Sequence, residues 1–71
     1  MQVIHNHEVA DRIDMELTQL EEKLVKLEAF LVDEAGKLMS KEQQKLLRDQ
    51  RLAMMDYADI LSERLRLLRG E

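Results

Sequence analysis

An apolar heptad pattern runs without a break through the first half of the chain. Its members are Ala10, Ile13, Leu17, Leu20, Leu24, Leu27 and Leu31, which follow one another at alternating steps of three and four residues. This spacing places all of them on one side of an α-helix, as in helices that pack side by side. The sequence contains no proline, and its two glycines are Gly36 and Gly70. The pattern therefore predicts an all-α chain.

Local signals mark the end of this helix and the start of a second one. We expect the first helix to span about residues 7–35, with Gly36 in the left-handed conformation that often ends a helix. A turn over residues 36–40 follows. Ser40 and Gln43 have the spacing of a capping box, which predicts a second helix over about residues 41–69. Because the link is so short, we expect antiparallel neighbours, and residues 1–71 then form one helical-hairpin domain.

The second helix carries more apolar surface than one partner helix covers. One row consists of Leu47, Met54, Leu61 and Leu68, and a second row consists of Leu46, Ala53, Ile60 and Leu67. A single neighbour covers a stripe about 100° wide, and the two rows span a broader arc. The chain has 71 residues and no cysteine, so no disulfide supplements its small core. We therefore expect a homo-oligomer, most simply a dimer of hairpins that forms a four-helix bundle, or a larger set such as a tetramer.

A row of polar residues lies between the two apolar rows. Gln50, Tyr57 and Arg64 are seven residues apart and share one helix face. A buried polar group without a partner is unfavourable, so each of the three needs one. Two interpretations are open at this point. In the structural one, the glutamine sets the oligomer's register, the tyrosine is a core aromatic residue, and the arginine forms an ion pair near Asp11 and Asp14.

In the functional interpretation, the polar row lines a ligand cavity between copies. The tyrosine ring can stack on a base, the glutamine amide can hydrogen-bond a base edge, and the arginine can bind phosphate. Lys23 and Lys26 lie near the level of Gln50 across the hairpin, where they are either solvated flanking residues or added positive charge. The candidate ligand-binding residues are Gln50, Tyr57, Arg64, Lys23, Lys26 and Met54.

Composition and motifs argue against several other classes of function. The net charge is −4 and the basic residues form no long run, so we expect no binding to a nucleic-acid polymer, as in a Rop-like RNA-binding bundle. No serine has a histidine base at a recognisable spacing, and no glycine-rich phosphate loop is present. We therefore expect neither an enzyme nor a cofactor. The pair His5 and His7 at the start of the chain is not expected to hold a metal.

The chain also lacks the sequence signals of a membrane protein. No apolar stretch reaches the roughly 20 residues of a membrane span, and the start of the chain has no signal-peptide core. We therefore expect a soluble, cytoplasmic protein without a membrane partner.

A gapped pattern covers about two thirds of the chain. It reads Glu22-Lys23-Leu24-x-Lys26-Leu27-x-x-Phe30, then Leu46-Leu47-x-x-Gln50-x-x-x-Met54-x-x-Tyr57-x-x-x-Leu61-x-x-Arg64. It resembles a family of short phage-encoded helical-hairpin proteins that includes or adjoins the phage sponge proteins. Those proteins counter the bacterial CBASS and Thoeris defences by sequestering nucleotide signals.

The resemblance implies a homo-oligomer, in the host-cell cytoplasm, that holds cyclic dinucleotides or cyclic ADP-ribose-type messengers between subunits without catalysis. It also implies ligand contacts at Gln50, Tyr57 and Arg64, and at Lys23 and Lys26. We therefore predict a non-enzymatic protein that binds and sequesters a small nucleotide second messenger. The alternative is a structural or adaptor bundle that binds another protein through the broad face of the second helix.

Overall fold

The computed structural model describes residues 6–70, which form three helices and contain no strand. Helix α1 spans Asn6–Val32, the single-turn helix α2 spans Glu34–Lys37, and helix α3 spans Lys41–Arg69. Side-chain bonds join Glu28 to Arg51 and Asp14 to Arg69, so later residues of α3 meet earlier residues of α1. The two long helices are therefore antiparallel, and the predicted all-α hairpin is confirmed.

The connection between the long helices differs from the expected single turn. Helix α1 ends because Asp33 has an extended backbone, with φ −81° and ψ 158°. Gly36 is a buried residue of α2, and the only positive φ among the described residues belongs to Gly70. The prediction of a left-handed Gly36 is therefore wrong. The glycine is needed for space, because a Cβ atom there would overlap the carbonyl oxygen of Phe30.

The start of α3 is stabilised by side chains that bond to free backbone groups. The Ser40 side chain accepts a hydrogen bond from the Gln43 backbone N–H at 3.1 Å, as the capping motif predicts. No return bond from the Gln43 side chain is present among residues 6–70. Instead, the Gln44 amide donates to the carbonyls of Lys37 and Met39, at 3.0 and 2.9 Å. These two bonds tie the connection to the first turn of α3.

The buried core is small and lies toward the open end of the hairpin. Its members are Ala10, Ile13, Leu20, Leu61 and Leu65, and partly buried neighbours are Val9, Leu17, Met54, Ala58 and Leu68. The chain measures 54 × 23 × 16 Å, with a radius of gyration of 16.1 Å. A compact chain of this length has a radius of about 11 Å. One copy is therefore a rod with little interior.

Candidate functional site

Helix α3 carries two heptad seams offset by one residue. The inner seam, which faces α1, consists of Leu47, Arg51, Met54, Ala58, Leu61, Leu65 and Leu68. The outer seam consists of Leu46, Gln50, Ala53, Tyr57, Ile60, Arg64 and Leu67. All members of the outer seam are exposed, including Leu46 and Ile60 at 57% and Leu67 at 64%. Within one hairpin, α1 therefore covers one of the two apolar rows of α3. The other apolar row and the polar row stay exposed.

Tyr57 is the centre of the polar row, and its hydroxyl donates a hydrogen bond to the carboxylate of Glu16 on α1. This bond raises the pKa of Tyr57 above its ordinary value, and the Glu16 charge acts in the same direction. The positive charge of Arg64 acts against them and lowers the pKa. Arg64 lies seven residues after Tyr57 on the same face of α3. Glu16, Tyr57 and Arg64 therefore form one cluster that spans both helices.

Glu16 is a member of this cluster that sequence reasoning missed. The sequence feature that could have found Glu16 is its spacing from Lys23. These two residues are seven apart on α1, just as Gln50 and Tyr57 are seven apart on α3. Since the helices are antiparallel and Glu16 meets Tyr57, Lys23 lies at the level of Gln50. The contact between α1 and the polar row becomes visible only once the register of the two helices is known.

The cations beside this cluster have no partner of opposite charge in the described part of the chain. Neither Lys23 nor Arg64 makes an ion pair there, whereas Arg51 and Arg69 bond Glu28 and Asp14 at 3.0 and 3.1 Å. The expected pairing of Arg64 near Asp11 and Asp14 is therefore wrong, since Arg69 takes that place. Arg69 lies on the edge of the hairpin opposite to Tyr57, and Arg64 keeps its guanidinium free of any ion pair within residues 6–70.

A model of the Sequestin family matches residues 7–67, which include the outer seam, Glu16 and Lys23. The chain belongs to the Sequestin family. The family's name refers to sequestration of a ligand, a binding role rather than catalysis. No significant match is found among curated proteins or among solved structures.

Two further candidate residues of this Sequestin-family chain have different surroundings. Met54 is half-buried against the core, and its sulfur lies 3.9 Å from the Gln50 side-chain nitrogen, a weak contact that leaves the amide's bonding capacity largely unused. Lys26 lines a shallow groove with Thr18 and Val25 on α1. That groove faces away from α3, so the structure groups Lys23 with the polar row and does not place Lys26 there.

The described part of the Sequestin-family chain has neither a metal-binding cluster nor a membrane-spanning helix. His5 lies outside the described residues. Within residues 6–70, no three histidine, aspartate or glutamate side chains converge on a point where a metal could bind. None of the helices described here has an apolar segment of the length needed to cross a lipid bilayer.

The edge of the hairpin that carries the polar row offers a distinct set of chemical groups. The tyrosine ring provides a flat face, and the Gln50 amide provides both a donor and acceptor. Arg64 and Lys23 can bind phosphate oxygens. The Glu16 carboxylate accepts hydrogen bonds, which suits ribose hydroxyls or an exocyclic amine. On one copy these groups lie on an open surface, so enclosing a ligand requires a second surface.

Proposed function

We propose that this protein is a non-enzymatic, homo-oligomeric sponge that binds a small nucleotide second messenger and holds it away from its receptor. Cyclic dinucleotides and cyclic ADP-ribose-type molecules are the proposed ligands. Their capture would counter a bacterial anti-phage immune response. Membership of the Sequestin family supports a sequestering role.

The observation that carries the nucleotide assignment is the exposed cluster on the edge of α1 and α3. It combines the ring of Tyr57, which is 42% exposed, with a guanidinium that has no ion pair among residues 6–70. A nucleotide presents a flat base, ribose hydroxyls and phosphates, and each has a matching group there. The apolar members of the outer seam beside it provide the surface that a second copy can cover.

Sequestration needs only affinity and a sufficient number of copies. A cavity with a dissociation constant well below the signal's working concentration lowers the free messenger roughly in proportion to the sites present. No bond in the ligand has to break. Groups that bind phosphate and base are therefore sufficient, and a general base or nucleophile is not required.

Isothermal titration calorimetry with cyclic dinucleotides and cyclic ADP-ribose isomers tests this proposal. We expect saturable binding by the wild type and a loss of about tenfold or more in affinity for Tyr57→Ala and Arg64→Ala. The matched control is Arg48→Ala, which removes an exposed arginine about 180° around α3 from Tyr57. Absence of binding to every nucleotide, or equal losses for Arg64→Ala and Arg48→Ala, would refute the proposal.

A structural or adaptor bundle is the second candidate, because the Tyr57 hydroxyl already has a partner within its own chain. In that case the polar row only sets the geometry of the assembly. Gln50→Leu would then raise the unfolding midpoint and leave function unchanged. A ligand site would instead lose affinity on the same substitution, so the two functions predict opposite results in the calorimeter.

A further inference from the structure

The outer seam has the spacing of a helix-packing surface but is uncovered in one copy. Its steps alternate between four and three residues, as do those of the inner seam that packs on α1. Leu46, Ile60 and Leu67 are each more than half exposed. Residues 6–70 contain no further long helix that could cover them. Helix α3 therefore has a second face that is suited to another helix.

Building on the homo-oligomer of the proposed function, we infer that the outer seam packs against the outer seam of a second copy, with the two α3 helices antiparallel. Full overlap of Lys41–Arg69 places residue 41 of one helix opposite residue 69 of the other. This register sets Leu46 opposite Arg64, Gln50 opposite Ile60, and Ala53 opposite Tyr57. Six of the seven seam members then lie opposite another member, and Leu67 lies opposite Gln43 near the end of the helix.

Side-chain size and charge both favour this antiparallel register. Ala53 is the smallest residue of the seam, and it leaves room for the Tyr57 ring of the other copy. A parallel pair in register would instead place each Arg64 against the same residue of its partner, which brings like charges together in the interface. In the antiparallel pair Arg64 lies against the aliphatic Leu46, and Asp49 of the second copy is about one turn away.

The two edges of the seam differ in charge. A twofold axis perpendicular to the helices brings each edge against the same edge of the second copy. The edge with Tyr57 and Arg64 then collects two guanidinium groups, along with Lys23 from both α1 helices, in one groove. This arrangement doubles every group of the cluster. The two Arg64 residues lie 18 residues apart along the pair, which is about 27 Å, so the groove holds two equivalent copies of the ligand site.

The opposite edge carries Asp49, Asp56 and Glu63, which are seven residues apart. Within each chain Lys45 bonds Asp49 at 3.1 Å, and Arg66 forms an ion pair with Glu63. Asp56 has no ion pair among the described residues. It also lies next to the midpoint of α3, where the two copies approach. Ion pairs within each chain therefore neutralise Asp49 and Glu63 on this edge. The remaining repulsion between the two copies comes from Asp56.

A spin-label distance tests the orientation, since the chain has no cysteine of its own. Glu42→Cys places one nitroxide near the start of α3, opposite residue 68 of the second copy. At about 1.5 Å per residue, the two labels are separated by about 40 Å along the helices. We expect pulsed electron paramagnetic resonance to give this distance. A distance below about 25 Å indicates a parallel pair, and no dipolar signal indicates a monomer; either result overturns the inference.

Matched substitutions test the surface itself by sedimentation velocity. Ile60 and Leu52 are 57% and 55% exposed, but only Ile60 lies in the outer seam. We expect Ile60→Asp to raise the dimer dissociation constant about tenfold or more, while Leu52→Asp leaves it unchanged. Asp56→Asn should lower the same constant, because it removes the residual repulsion. Circular dichroism checks that each variant stays helical, and equal effects at positions 60 and 52 or weaker association of Asp56→Asn would contradict the interface.

Nucleotide titration of the wild type separates this inference from the proposed function. A monomer that binds a nucleotide would overturn the α3 interface and leave nucleotide capture standing. A dimer with the 40 Å label distance (about 26 residues of helix rise) that binds no nucleotide would confirm the interface and refute capture.

Discussion

Replacement of Leu61 by alanine should destabilise the hairpin more than any other single truncation on α3. Leu61 is the one side chain among residues 6–70 that is large and fully buried, with 0% of its surface exposed. It lies in the core with Ile13 and Leu20 of α1. Replacing its isobutyl side chain by a methyl group therefore takes apolar surface from the buried core between the long helices.

The magnitude follows from the burial and from the size of the chain. A fully buried leucine replaced by alanine loses about 2–5 kcal/mol, depending on how far the neighbours collapse into the space. A domain of this length has a total free energy of unfolding of about 4–10 kcal/mol. The substitution therefore removes about a fifth of the stability or more. Because α3 is the only long helix that α1 contacts within residues 6–70, few other contacts can compensate.

Urea unfolding followed by circular dichroism at 222 nm measures this loss, at two protein concentrations so that association is separated from folding. Leu52→Ala is the control, because Leu52 is 55% exposed on the same helix and should change stability by about 0.5 kcal/mol or less. Equal losses for the two variants would refute the burial argument, since both remove the same atoms from the same helix.

Three further predictions concern the connection, the helix start and the polar cluster. Gly36→Ala should lower the melting temperature sharply in a thermal scan, because the added Cβ meets backbone that cannot move aside; an unchanged midpoint would contradict the close approach. Ser40→Ala should lose about 1 kcal/mol in urea unfolding, against little change for the exposed mid-helix control Ser62→Ala. The Tyr57 hydroxyl should titrate above its ordinary pKa by absorbance near 295 nm, and Glu16→Gln should bring the pKa down. Because the folded pKa is raised, the stability from this bond is present below the ordinary tyrosine pKa and is lost as the pH rises through the folded value. If Glu16→Gln leaves the pKa of Tyr57 unchanged, the hydrogen bond between the two residues is refuted.

The helices and their antiparallel pairing were predictable because their signals are local or nearly so. The heptad pattern of α1 sets which of its residues face a partner, and Ile13 and Leu20 of that pattern are buried. Ser40 begins α3 as its spacing indicates. The link between the helices is only a few residues long, which leaves no geometry other than an antiparallel hairpin.

The use of Gly36 was not predictable from sequence, because the same residue serves two kinds of backbone. A glycine after a helix most often adopts a left-handed conformation. Here the chain bends at Asp33 instead and turns back against the end of α1. The close approach to Phe30 results from that bend, and no local pattern encodes it.

The candidate site was predictable in part. The polar row was visible as Gln50, Tyr57 and Arg64 because a spacing of seven residues on one helix needs no tertiary information. Glu16 was missed because its place depends on how α1 is shifted along α3. Whether the cluster binds a nucleotide stays a prediction for the calorimeter.

The amino-acid sequence by itself determined the helical class, the hairpin and the excess of apolar surface on α3, because periodicity and chain connectivity act within a few residues. Only the tertiary structure decided which row of α3 faces α1, and this choice buries Leu61 and leaves Ile60 exposed. The physical reason is that one residue along α3 rotates a side chain by about 100°. Packing against α1 therefore selects between adjacent seams, and the seam that it leaves uncovered carries the polar cluster.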